Sequence, residues 1–121
     1  MTPQQFLEAY TAAISSQQWE NVEPLIHDNC VATFTNGTHV GKVAVEAIFR
    51  KNFALIQDEV YEMSNVHWIV ETEQFATFAF HFSWSGVING KPASGGGRGS
   101  STIVRVGDGW QLVSEHLSPH V

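Results

Sequence analysis

Phe78, Phe80, Phe82 and Trp84 stand at every second position of one run, with Thr77, Ala79, His81, Ser83 and Ser85 alternating between them. A period of two belongs to an extended strand, whose neighbouring side chains point to opposite faces. Four large rings on one face of one strand need an apolar layer to cover them. The small and polar set must turn the other way. The chain is therefore expected to form a sheet with one face packed on other elements and the other face free.

The elements that can cover the rings lie upstream. Thr2-Pro3-Gln4-Gln5 opens a helix: Thr2 caps it, Pro3 suits the first helical position and Gln5 completes a capping box. Phe6, Leu7, Tyr10 and Ile14 then share one helical face. A second, shorter helix turns Trp19, Val22, Leu25 and Ile26 inward. Pro24 removes a backbone donor there, so a kinked or partly 3₁₀ segment is expected. Val31 to Thr35 reads as a short strand ending at the Asn36-Gly37 turn. A third helix follows over roughly residues 42–57, with Val45, Ile48, Phe49, Phe53 and Ile56 as its stripe. From there the pattern is all strand: residues 59–71, then 75–88, then a hairpin over 95–121 turning at Gly107-Asp108-Gly109. Helices followed by a run of strands predict an α+β layer, three N-terminal helices on one face of a curved antiparallel sheet. One domain over 1–121 is expected.

The balance of residues sets bounds on partners. Twelve Asp plus Glu against six Lys plus Arg give a net charge of −6. An acidic chain without a basic cluster is not suited to nucleic acid or to an anionic membrane. No apolar run has membrane-spanning length and no leader pattern opens the chain. A lone Cys30 makes no intrachain disulfide, so a reducing cytoplasm is expected. Eight Phe and four Trp give a core more suited to a roomy cavity than to tight aliphatic packing.

Alternation in the last hairpin distributes its polar groups. Arg98, Ser100 and Thr102 share one face of its first strand. On the second strand Val113, Glu115 and Leu117 share one face, and Trp110, Leu112, Ser114, His116 and Ser118 the other. If the first set of each strand faces the helices, Glu115 sits inside an aromatic hollow with Arg98 as its cation. Glu115 is then either a general acid or base, with Arg98 and Thr102 holding an oxyanion, or half of a structural salt bridge at the pocket mouth. The opposite register turns His116 inward, either as a base or, facing outward, as a hydrogen-bonding partner near His81 across an interface. Six scattered histidines form no pair at i, i+4 spacing, and no metal site is expected. Gly95-Gly96-Gly97-Arg98-Gly99 feeds a strand rather than a helix, so it reads as a hairpin arm or bulge, doubling as a lid, and not as a phosphate loop. The outer sheet face is uncharged and half polar, which suits pairing with a second copy.

Gln18-Trp19 through Leu25-Ile26 and Asp28, Gly41 with Val45-Glu46-Ala47-Ile48, Asp108-Gly109-Trp110, and Glu115-His116-Leu117-Ser118 together resemble the SnoaL-like branch of the nuclear-transport-factor-2-like superfamily. The resemblance covers nearly the whole chain. It implies a cystatin-like, cone-shaped roll of helices on a curved, mainly antiparallel sheet, with a pocket inside and pairing through the outer sheet face. Fold does not fix function in this superfamily, which hosts isomerases, cyclases, dehydratases and non-catalytic modules. Against the ketosteroid isomerase pattern, Tyr10 falls on the first-helix tyrosine, Phe34 on the aspartate base and Thr102 near the second acid. Two of three parts are absent, so that mechanism is not expected; Tyr10 is equally readable as a core tyrosine with a satisfied hydroxyl.

The first expectation is a dimeric module binding a small apolar or aromatic molecule, with Tyr10, Trp19, Phe34, Phe53, Phe80, Phe82, Arg98, Thr102 and Glu115 in contact with it and no cofactor. The alternatives are an enzyme moving a proton through Glu115, His116 or Tyr10 on a cyclic or polyketide-like substrate, and a non-catalytic association domain.

Overall fold

A computed structural model of the chain describes residues 1–120. Val121, the last residue of the expected final hairpin, lies outside the described residues. Helix α1 spans Pro3–Ser16. The Thr2 hydroxyl accepts from the Gln5 amide at 3.1 Å, and the Gln5 side chain accepts from the Thr2 amide at 2.8 Å. Both otherwise orphaned donors of the first turn are thus satisfied. Phe6, Leu7, Tyr10, Ala13 and Ile14 form its buried stripe. Helix α2 is the single turn Trp19–Val22, and Pro24 imposes a 3₁₀ turn over Glu23–Leu25, as its missing donor predicts. Helix α3 is Lys42–Leu55 and buries Val45, Ile48 and Phe49.

Six strands form a single sheet, the first two before α3 and the other four after it: β1 Ile26–Phe34, β2 Gly37–Val40, β3 Gln57–Glu71, β4 Phe75–Ile88, β5 Lys91–Val106 and β6 Gly109–Pro119. Their order is β2-β1-β6-β5-β4-β3. Every pairing is antiparallel except β1 with β6, which are parallel. That pairing attaches the N-terminal hairpin to the strand bearing Glu115. The sheet is two strands wider than a simple four-strand meander, since β1 is longer than its apolar run suggested and β2 is short and mostly exposed.

Residues directly opposite in an antiparallel pair share a face. Phe78 and Phe80 are buried on the helix side, where Phe78 packs at 4.8 Å from Trp68 and 5.6 Å from Phe80. Phe82 and Trp84 continue that face at half burial. Phe80 opposes Gly99 and Phe78 opposes Ser101. The inward set of β5 is therefore Gly97, Gly99, Ser101 and Ile103, and Arg98, Ser100 and Thr102 point to the other face. This reverses the expected phase of β5.

On β6 the partner of Thr102 is Ser114 and that of Ile103 is Leu112, so Val113 is an extra residue. Such a bulge switches the phase of a strand. Trp110 and Leu112 point inward before it, Glu115 and Leu117 after it. No uninterrupted alternation could have produced both. Further irregularities in β3, with Asp58 and Asn65 at positive φ, bend the sheet around the helices.

The glycine run is a regular part of β5, not a loose arm or a lid. Its glycines make room for close neighbours. A Cβ on Gly99 would lie 2.7 Å from the Phe80 ring, and one on Gly97 would run into the Ser118 carbonyl and approach the Pro119 Cα at 2.8 Å. Backbone, unlike a side-chain tip, cannot swing aside. Gly97→Ala is expected to cost about 1–3 kcal/mol, the usual range for overpacking, read as a lower urea midpoint; an unchanged midpoint would refute the close approach. Among the described residues no helix is long and apolar enough to cross a membrane.

Candidate functional site

One end of the roll stays open. The C-terminal half of α3, the β1–β2 turn, the start of β3 and the end of β4 surround a cavity of about 400 Å³. Phe34, Phe49, Phe53, Phe82, Trp84 and Leu117 supply apolar wall. Tyr10, Glu59, Tyr61 and Glu115 supply the polar groups that reach deepest into the core. The other end is shut by Trp110, whose indole donates to the Met1 carbonyl at 2.9 Å and carries the Arg105 guanidinium 4.4 Å above its ring.

Glu115 is 3% exposed, and its carboxyl is held by two hydroxyls. Tyr10 donates to one oxygen at 3.1 Å and Ser101 to the other at 3.0 Å. The construction is traceable to the sequence: the α1 stripe brings Tyr10 inward, β5–β6 register sets Ser101 opposite Glu115, and the Val113 bulge turns Glu115 into the core. Burial disfavours the charged form and raises the Glu115 pKa to about 7, with the Ser101 and Tyr10 hydrogen bonds opposing it. Burial first, then the nearby Glu115 carboxylate, raises the Tyr10 phenol and pushes the buried Cys30 thiol up to about 12. Cys30 is thus a protonated core residue rather than a nucleophile.

A second carboxyl was missed in the sequence. Glu59 is 9% exposed, less deeply buried than Glu115, and burial raises it to about 7. The C-terminal end of α1 fixes its backbone. The Gln17 side chain accepts from the Glu59 amide at 3.2 Å and donates to the carbonyls of Phe53 and Ile56. Ser15 accepts from the Tyr61 amide at 2.9 Å. Tyr61 stacks on Phe82 at 6.3 Å, and its hydroxyl is buried without a hydrogen-bond partner among the described residues. The available signal was the phase of β3, where Glu59, Tyr61 and Met63 alternate; the bulges in that strand hid it.

The expected site residues separate into three groups. Tyr10, Phe34, Phe53, Phe82 and Glu115 come together at the cavity. Trp19 and Phe80 point into the core instead: Trp19 packs on Phe49 at 5.8 Å, and Phe80 lies between Phe78 and Gly99. Arg98, Thr102 and His116 are on the outer sheet face. Arg98 opposes His81 and Ser118, Thr102 meets the Thr77 hydroxyl at 3.0 Å, and exposed His116 opposes Ser100. Arg98 therefore cannot pair with Glu115, and His116 is not in the cavity. With no cation beside it, the buried carboxyl has two hydroxyl donors and a raised pKa instead.

The raised pKa has a consequence for stability. The folded chain keeps the Glu115 proton up to about pH 7, and an unfolded glutamate loses it near its ordinary value of 4.5. The native state binds more protons in that window, so stability falls as pH rises through it and levels off above it. A shift of this size is worth on the order of 3 kcal/mol. Glu115→Gln is expected to flatten the decline in urea stability between pH 4.5 and pH 8 by roughly that amount, with Glu59 leaving a remainder of the same sign. An unchanged slope would show that Glu115 titrates normally.

Comparison with known proteins accords with this architecture. A family model described as a SnoaL-like domain matches residues 4–121. No curated protein matches the sequence. A nuclear transport factor 2 (NTF2-like) superfamily protein from Salmonella enterica serovar Typhimurium superposes with a TM-score of 0.86 at 15% identity, covering 97% of this chain and 87% of its own. A candidate scytalone dehydratase from Novosphingobium aromaticivorans gives 0.84 at 15% identity, covering 98% and 81%. A candidate calcium/calmodulin-dependent protein kinase type II association domain from Thiobacillus denitrificans gives 0.83 at 19% identity, covering 99% and 96%. Identities this low establish shared fold alone, whereas the family match runs almost the full length of the sequence. The chain belongs to the SnoaL-like family.

Proposed function

We propose that the protein binds a small, ring-bearing apolar molecule in the cavity, with Glu115 meeting its polar handle. The observation that carries this reading is the combination of an apolar, aromatic-walled space of about 400 Å³ with a carboxyl at its floor held between two hydroxyls. Small-molecule sites have this character: mostly apolar wall and a few placed polar groups. Leu117 lines the space from β6 at half burial. Leu117→Trp is expected to fill it and lower affinity at least tenfold for whatever molecule co-purifies with the native protein and is identified by mass spectrometry. Unchanged affinity in a folded Leu117→Trp variant would move the site elsewhere.

A second reading, proton-transfer catalysis, is favoured by one specific observation. The Glu115 carboxyl is poised near neutrality by burial, the range in which a carboxyl both gives and takes protons at pH 7. Glu115 would accept a proton from one ligand atom or deliver one to another, with Tyr10 and Ser101 orienting the carboxyl. Proton linkage distinguishes this from passive binding. Calorimetry in buffers of different ionisation enthalpy is expected to show proton exchange on ligand binding, lost in Glu115→Gln; identical proton counts for both proteins would remove Glu115 from that role.

We also propose that two copies pair through the outer sheet face, on the strength of its composition. It presents Ala79, Ser100, Thr102, Ser114 and His116, a half-polar surface without a block of like charge. Light scattering at micromolar concentration is expected to give twice the mass of the chain, and the mass of a single chain would contradict it. A reducing compartment such as the cytoplasm fits the unpaired, buried Cys30.

A further inference from the structure

The cavity holds two carboxyls and no counter-charge. Glu59 and Glu115 both line it, and its lining contains no Lys, Arg or His. The two are not equivalent. Both Glu115 oxygens accept from Tyr10 and Ser101. The Glu59 carboxyl has neither a hydrogen bond nor an ion pair among the described residues, although the residue is only 9% exposed. Arg50 pairs with Glu46 and Glu20, Lys42 pairs with Glu23 and Asp28, and Lys51, the cation nearest in sequence to Glu59, does not line the cavity. Two residues along β3, and on the same cavity, Tyr61 is 8% exposed and its buried hydroxyl lacks a partner among the described residues.

Buried polar groups are ordinarily satisfied, and the buried, unpartnered Tyr61 hydroxyl stands on the cavity with a Glu59 carboxyl free to meet a ligand group. An anionic group there would meet two carboxyls with no donor but hydroxyls and amides. A neutral hydroxyl could donate to the carboxyl and accept from the phenol, but would bring no charge to offset the two carboxyls. An ammonium donates to the Glu59 carboxylate and to the Tyr61 oxygen and supplies the missing positive charge. The rings around it add attraction, since cations favour aromatic faces, and Phe53, Phe82 and Trp84 line the same space.

We propose that the cavity is an amine site: it takes a hydrophobic ammonium, paired to Glu59 and Tyr61, and rejects carboxylates of the same skeleton. This rests on the reading of the cavity as a ligand site and adds the charge class of the ligand and a second polar contact, at Glu59, beside the one at Glu115. Gln17 is a positioning residue for it, because its side chain fixes the Glu59 backbone to the end of α3.

Three probes of one skeleton test this: 3-phenylpropylamine, 3-phenylpropanol and 3-phenylpropanoate, titrated calorimetrically at pH 7 into the wild-type protein and Glu59→Gln. The amine is expected to bind at least tenfold tighter than the alcohol, and the propanoate not at all. In Glu59→Gln the preference for amine over alcohol is expected to fall below threefold. Alcohol or propanoate binding as tightly as the amine would overturn the amine assignment and leave the cavity reading standing. An amine preference undiminished in Glu59→Gln would overturn the role of Glu59. Failure of all three to bind wild-type protein at millimolar concentration would overturn both readings. The wild-type comparison stands by itself should Glu59→Gln fail to fold.

Discussion

A carboxyl buried without a cation governs how the parts of this molecule fit. Glu115 can stay in the core only because Tyr10 and Ser101 donate to its two oxygens and because its proton is retained to near neutrality. Leaving such a group unpaired would cost several kcal/mol, so the three residues must arrive together. They come from α1, β5 and β6, and bringing them to one point fixes the position of the helix on the sheet. The parallel pairing of β1 with β6 adds the wall that carries Phe34. The cavity is what remains between that buried group and the open end of the roll.

Energetically the arrangement trades packing for space. Phe78, Phe80 and Trp68 fill the interior of the sheet face, where glycines of β5 accept the rings. Toward the open end Phe82 and Trp84 stay half buried, with no helix seated on them. A core filled to the mouth would gain further burial at roughly 25 cal/mol per Å². The fold forgoes that gain and keeps two titratable carboxyls at the space instead. Unused burial and unsatisfied polar groups in one place are the marks of a functional site rather than of a stability device.

Much of this was legible in the residues. The Phe78–Trp84 alternation gave the buried face correctly, Thr2 and Gln5 gave the start of α1, and Pro24 gave the 3₁₀ turn. Tyr10 and Glu115 were both identified as cavity groups. The failures share a physical cause: strand phase is unreadable through a bulge. Val113 shifts β6 by one residue, so a straight reading puts either Leu112 or Leu117 on the wrong side. The β5 error followed from chemistry rather than pattern, since Arg98 looked like the required partner for Glu115. Glu59 escaped notice because its strand is irregular on both sides of it, and a glutamate on an edge strand ordinarily faces water.

A Glu115 carboxyl buried between two hydroxyls without a cation is open to direct test by ¹³C NMR of the side-chain carboxyl carbon across a pH titration, assigned with Glu115→Gln. The account predicts a midpoint at about 7. A midpoint at the ordinary glutamate value would contradict it: the carboxyl would then be wet or paired with a cation, and the cavity would not be the apolar chamber described.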